Sequence, residues 1–176
     1  IHVEASNKKQ VYLMKKFLIL LTVLFLTGWS SDDETISDTA IEGVWEKTTI
    51  VDSNEFDELD ENLNYESVIQ YKFLKASKFE SYTFIRAIES SEIAGYMFKE
   101  LGSYTINNNR LSLISDRWIS QDDSGALQSL QELSLNEQEV EWSFNIILEQ
   151  NTLIFNFDPC GPAENCIGSI TLNKVN

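Results

Sequence analysis

Histidine is almost missing from this chain: among 176 residues His2 is the only one. It lies in a leading stretch that the next paragraphs set aside, so the working domain carries no imidazole. Ser-His-Asp and Cys-His catalysis need that ring to take up a proton, and the common zinc and copper sites use it as a ligand. Those chemistries are excluded. A pair of carboxylates could hydrolyse a glycoside, but nothing in the pattern singles out a pair among so many acids. We therefore expect no enzymatic activity, no cofactor and no metal. Basic residues are the second shortage, with 13 Lys and Arg against 28 Asp and Glu and a net charge of -15. Such a surface repels phosphate backbones and anionic headgroups, which argues against nucleic-acid binding and against membrane docking through a basic patch. Proline is scarce too, with two in the whole chain, so long strands joined by short connections are not interrupted.

The one long apolar run is too short to cross a bilayer. Lys15 and Lys16 follow Met14, and Phe17–Leu26 (FLILLTVLFL) is an apolar segment of ten residues, about half the length that a span needs. This is the layout of a secretory signal. Residues 1–13 have no place in that scheme and are expected to be translation upstream of the true start. Residues 14–29 read as a signal-peptide helix, 30–40 (SSDDETISDTA) as an acidic flexible linker, and 41–176 as one domain. Setting aside residues 1–28 removes four lysines and one glutamate, leaving nine cations against 27 anions, a net charge near -18.

The end of the leader, Leu26-Thr27-Gly28-Trp29-Ser30, looks like a bacterial lipoprotein site in which Trp29 stands where the lipidated cysteine would be. Indole offers no sulfur nucleophile, so Trp29 itself cannot carry the thioether. Gly28-Trp29-Ser30 is also a small-x-small site that a general signal peptidase could cut. Export is expected either way, to the periplasm or the outer membrane, or into the medium if the lipid anchor is absent. Any membrane contact would come only through an N-terminal anchor. The two cysteines, Cys160 and Cys166, bracket a short segment containing Gly161 and Pro162; in an oxidising compartment they are expected to close a disulfide, a cysteine metal pair being the competing assignment.

From Ile41 onward the hydrophobic period is mostly two. In Val140–Leu148 the even positions Val140, Trp142, Phe144, Ile146 and Leu148 are apolar and alternate with Glu141, Ser143 and Asn145, the pattern of a strand with one wet face. A turn at Gln150–Asn151 leads into 153–157. Strands are also expected over 44–51, 67–74, 79–88, 93–101, 103–106, 111–114 and 167–174, with Asn107–Asn109 as a hairpin turn. In 126–135 the leucines at 127, 130 and 133 suit a helical turn as well as a strand. The expected fold is all-β: an antiparallel up-and-down barrel or sandwich of eight or nine strands, whose closure removes exposed edges. The acidic stretch 52–62 has Asp57 where a calcium-binding EF-hand loop needs glycine, so it reads as a solvated loop.

Ile41-Glu42-Gly43-Val44-Trp45 resembles the Gly-x-Trp opening of the lipocalins, and the pieces that follow in order are similar to bacterial lipocalin-like domains carried on secreted lipoproteins. They are Tyr71-Lys72-Phe73, Lys78-Phe79-Glu80, 102–106 (GSYTI), 110–113 (RLSL), Asn151-Thr152-Leu153 and 170–174 (ITLNK). The resemblance implies structural roles for Gly43 and Trp45, with Trp45 packing across the closed end of the barrel beneath Lys174. Lysine stands there in place of the more usual arginine. It also implies a ligand site inside the barrel. Tyr71, Phe73, Phe84, Tyr96, Phe98, Tyr104, Trp142, Phe144 and Phe155 are the candidate interior aromatics, each with ordinary core packing as its structural alternative. Arg86 shares parity with Tyr82 and Phe84 and is a candidate interior cation in need of an anionic partner, the alternative being a solvated arginine on the outer face.

Two functions are compatible with this sequence. One is an extracytoplasmic protein that takes a small apolar or amphipathic ligand into its barrel. The other is a structural or interaction subunit with a filled barrel, contacting another envelope protein. A cavity above roughly 300 Å³ would favour the first; a filled interior with an exposed apolar patch would favour the second.

Overall fold

The computed structural model describes residues 35–120, 126–158 and 168–175. A single helical turn, α1 (Asp38–Ile41), leads into eight strands: β1 (Gly43–Val51), β2 (Tyr65–Leu74), β3 (Lys78–Ala87), β4 (Ile93–Asn107), β5 (Arg110–Ile119), β6 (Ser134–Glu149), β7 (Thr152–Asn156) and β8 (Ser169–Val175). Each strand pairs antiparallel with the next, and β8 returns to pair with β1, so the sheet closes into an up-and-down barrel. The signal peptide, the region around Trp29 and the Cys160–Cys166 pair lie outside the described residues.

The strand count is eight because the segments expected at 93–101 and 103–106 are one strand. Gly102, which punctuates that pattern, lies inside β4 and faces Ser115 of β5. A Cβ there would collide with the carbonyl oxygen of Ile114, so glycine is the residue that lets the two backbones approach. The ambiguous stretch 126–135 forms neither a helix nor a full strand. Gln128 makes an isolated bridge to Tyr96, a turn closes from Glu132 N–H to Ser129 O, and β6 begins only at Ser134.

The connections β2–β3, β4–β5 and β6–β7 gather at one end of the barrel and are tight. Asn108 and Asn109 both have positive φ, 50° and 60°, as a two-residue type I′ hairpin requires, and asparagine tolerates that conformation better than most side chains. The segment leading into β1 closes this end. Ile36 and Ile41 pack against the core, Ser77 Oγ donates to Asp38 Oδ2 at 3.1 Å, and Ile36 N–H donates to Asn109 Oδ1 at 2.7 Å. Residues 35–40, read from sequence as part of the linker, are therefore folded onto the barrel. Ile36, with Ile41 just after it, supplies the apolar surface that a free tether lacks.

Trp45 is fully buried at this closed end, and its indole N–H donates to Ile41 O at 2.7 Å, which satisfies the one polar atom of the ring. In the β1–β8 register Trp45 faces Lys174, whose Nζ lies 5.1 Å from the ring centroid. Gly43 has φ 129°, and a Cβ there would sit 3.2 Å from Lys174 Cε, so a side chain would be strained and would crowd the lysine.

Candidate functional site

The register assigns every strand residue to a face. Trp45, Tyr71 and Ser81 are cross-strand partners, as are Phe73 and Phe79; the same parity carries Ser67, Ile85 and Ala87 inward. Across β4 and β5 the inward set is Phe98, Glu100, Gly102 and Tyr104 with Leu111, Leu113, Ser115 and Arg117. The interior thus has three levels. At the closed end, Trp45, Phe73, Phe79, Tyr104, Leu111, Leu113, Phe144, Ile146, Leu153, Phe155 and Leu172 form a continuous apolar core. At the opposite rim, Tyr65, Ile85 and Ala87 form a smaller cluster under Phe56 and Leu59 of the β1–β2 loop, with Met97 and Leu127 beside them. Between the two, on the side of β5 and β6, the interior is only partly filled and sets an ion pair among aromatic rings.

That middle level contains a pocket of about 130 Å³ lined by Tyr71, Phe98, Glu100, Arg117, Trp142, Phe144, Phe157 and Ile170. Its floor is aromatic: Phe144 stands 4.6 Å from Phe155 and 4.9 Å from Phe157, centroid to centroid, and Tyr71 meets Phe155 edge-on at 5.1 Å. Its wall is an ion pair. Arg117 Nε and Nη2 both donate to Glu100 Oε1, at 3.0 and 2.9 Å, and Nη1 donates to Glu137 Oε2 at 3.3 Å. The guanidinium also lies 5.4 Å from the Phe98 ring and 5.2 Å from the Trp142 ring. Two rings and two carboxylates therefore hold it in one orientation.

Local backbone irregularity helps to aim this group. The β5–β6 register shifts on either side of Arg117, and Glu139 in the bulged part of β6 has φ 52°. Bulges of this kind turn a side chain away from the regular pleat and often lie beside binding sites. Within the site the Tyr71 phenol is pushed up to about 12, first by desolvation and then by the charge of Glu100, with a Ser81 hydrogen bond and Arg117 opposing in part. Tyr71 is a neutral hydroxyl at any physiological pH, able to donate or accept a hydrogen bond.

The sequence candidates divide into three groups. Tyr71, Phe98, Trp142 and Phe144 line the pocket. Phe73, Tyr104 and Phe155 point inward but lie below it, buried in the closed-end core. Phe84, Arg86 and Tyr96 do not point into the barrel and correct the expectation: they share the outward parity of β3 and β4, where Phe84 is nonetheless buried, 3% exposed. Residues 79–88 carry large apolar groups on both parities, so alternation alone could not choose a face. On the outer wall Phe84 and Tyr96 pack at 5.5 Å, and Arg86 finds its anionic partners in Glu66, at 2.6 Å from Nη2, and Glu46, at 3.4 Å.

Glu100, Arg117, Phe157 and Ile170 line the pocket but were not picked out from sequence. The signal for the first two was present: Glu100 shares parity with Phe98 and Tyr104, and Arg117 with Leu111 and Leu113. A strand expected to end at 114 concealed Arg117, and Glu100, although inside the strand expected at 93–101, carries a charge that a hydrophobic pattern does not count. A larger groove of about 370 Å³ lies at the rim between Ile93–Tyr96 and Leu127–Gln131, but no charged side chain lines it. Among the described residues no three Cys, His, Asp or Glu side chains converge as a metal site would need, and no helix is long and apolar enough to cross a membrane.

No family model, no curated protein and no solved structure matches this chain. The eight-stranded antiparallel barrel is consistent with a lipocalin-like fold.

Proposed function

We propose that this domain is an exported, non-enzymatic, lipocalin-like binding protein that receives the apolar end of a small amphipathic molecule inside its barrel. The observation that carries the reading is the half-open interior pocket, in which an aromatic floor meets a fixed ion pair and a tyrosine hydroxyl. Ligand sites commonly combine a mostly apolar lining with a few fixed polar groups. A volume of about 130 Å³ limits what enters. It is close to that of a cavity known to admit a single benzene ring, so one ring or a short chain end fits and the rest of the ligand stays in the mouth. Export, with or without a lipid anchor, rests on the leader sequence, and the absence of histidine from the domain supports a role without catalysis.

The small volume also favours a second reading, a structural or interaction subunit of the envelope whose barrel is largely filled, because ligand pockets usually start near 300 Å³. Native mass spectrometry of the domain extracted from its host separates the two. A small molecule that leaves on mild activation, and that the Trp142→Ala protein no longer retains, supports the carrier. A bare mass, together with co-purification of an envelope protein, supports the filled subunit.

A further inference from the structure

We infer that the pocket selects a positively charged amphiphile, one that places an apolar ring on the aromatic floor and an ammonium group at the mouth. This rests on the carrier reading and adds the sign of the ligand's charge. The interior arginine would ordinarily suggest an anion. Here Nε and Nη2 already donate to Glu100, whose side chain is 3% exposed, and Nη1 donates to Glu137. An incoming carboxylate would have to share the guanidinium with two carboxylates that already hold it, the accessible one being Glu137, 52% exposed at 3.3 Å. The cluster then holds two negative groups against one positive, so a second anion is repelled and a cation completes the balance. The remaining interior cations do not alter this. Lys174 lies over Trp45 at the closed end, and Lys47, although it shares the inward parity of β1, does not line the pocket.

The approach to the pocket has the same sign. Four connections leave the mouth end of the barrel, β1–β2, β3–β4, β5–β6 and β7–β8. The described residues of the first three, 52–64, 88–92 and 126–133, contain nine Asp and Glu and no Lys or Arg. The tight turns of the closed end are instead flanked by Lys75, Lys78 and Arg110. A rim of one sign around a pocket of low polarity raises the local concentration of oppositely charged small molecules and speeds their entry. Charge thus acts twice on a ligand, at the rim and again beside Glu137.

Three probes of one shape test this: 2-phenylethylammonium, 2-phenylethanol and 3-phenylpropanoate, titrated into the folded protein by calorimetry. The expected order of affinity is ammonium, then alcohol, then carboxylate, with about a tenfold span or more between first and last at low salt. The ammonium-to-alcohol ratio should shrink when salt rises from about 20 to about 500 mM and should shrink again in Glu137→Gln. A carboxylate that binds as well as the ammonium, or a ratio indifferent to salt and to Glu137→Gln, overturns the charge assignment while leaving the pocket intact. If none of the three binds, the carrier reading fails and this inference with it.

Discussion

The two ends of the barrel interior are built from the same alternating strands and yet solve opposite problems. At the closed end the inward positions form one buried apolar core from Trp45 to Leu172, with Lys174 lying over Trp45, and the one indole N–H there is satisfied by Ile41 O. One level higher the same strands present Glu100, Ser115, Arg117 and an indole, Trp142, that is 40% exposed although it points inward. The first arrangement maximises the surface removed from water and leaves no room. The second retains charge and an opening, at a cost in stability that fixed hydrogen bonds only offset in part. Stability and recognition are thereby placed at different heights of one barrel.

The strongest way to break that division is to truncate one tryptophan at each level. Trp45→Ala removes a fully buried ring and orphans the Ile41 carbonyl, so it should cost about 3–5 kcal/mol in urea unfolding. Trp142→Ala should cost about 1 kcal/mol or less, because much of its ring is already in water. Equal losses would mean that the middle level is core after all. Next in size is Arg117→Met, which leaves Glu100 buried without its partner and should cost about 3 kcal/mol. Adding Glu100→Leu should recover most of it, whereas a simple surface pair would show no such rescue.

A smaller effect appears on the alkaline side. The Tyr71 phenol is raised from 10.0 to about 12 in the folded chain, so between those values the native state keeps a proton that the unfolded chain gives up. Its contribution to stability is fully present below pH 10 and is lost as pH rises through 12. Tyr71→Phe should flatten that part of the stability curve, which denaturant titrations at several alkaline pH values would show. Smallest is Arg86→Ala on the outer wall. Its ion pairs with Glu66 and Glu46 lie on the outer wall with side chains 11–23% exposed, so a loss of about 1–2 kcal/mol is expected, shrinking only in part with salt.

The closed end was far more legible in the sequence than the pocket. Clean alternation in 140–148 and 153–157, paired asparagines at a turn and the Gly-x-Trp opening all point to the same barrel, because apolar positions there obey a single period. The pocket breaks that rule: its decisive residues are charged and sit beside a glycine or a bulge, so although they keep the inward parity, a hydrophobic pattern does not count them. Phe84, Arg86 and Tyr96 fail in the opposite sense. Large aromatic groups pack on the outer wall beside an arginine that already has two carboxylates, and hydrophobicity alone reads them as interior. Burial of a charge depends on a partner strand, which a single strand's pattern does not display.

The central claim is that the ligand site lies inside the barrel at the level of Arg117 and not on the aromatic outer wall. Intermolecular NOEs from 2-phenylethanol, a ring-sized uncharged probe, decide it most directly. The account predicts contacts to Phe98, Trp142 and Phe144. Contacts to Tyr82 and Tyr96 in their place, or no contact at all with the inward rings, would contradict it.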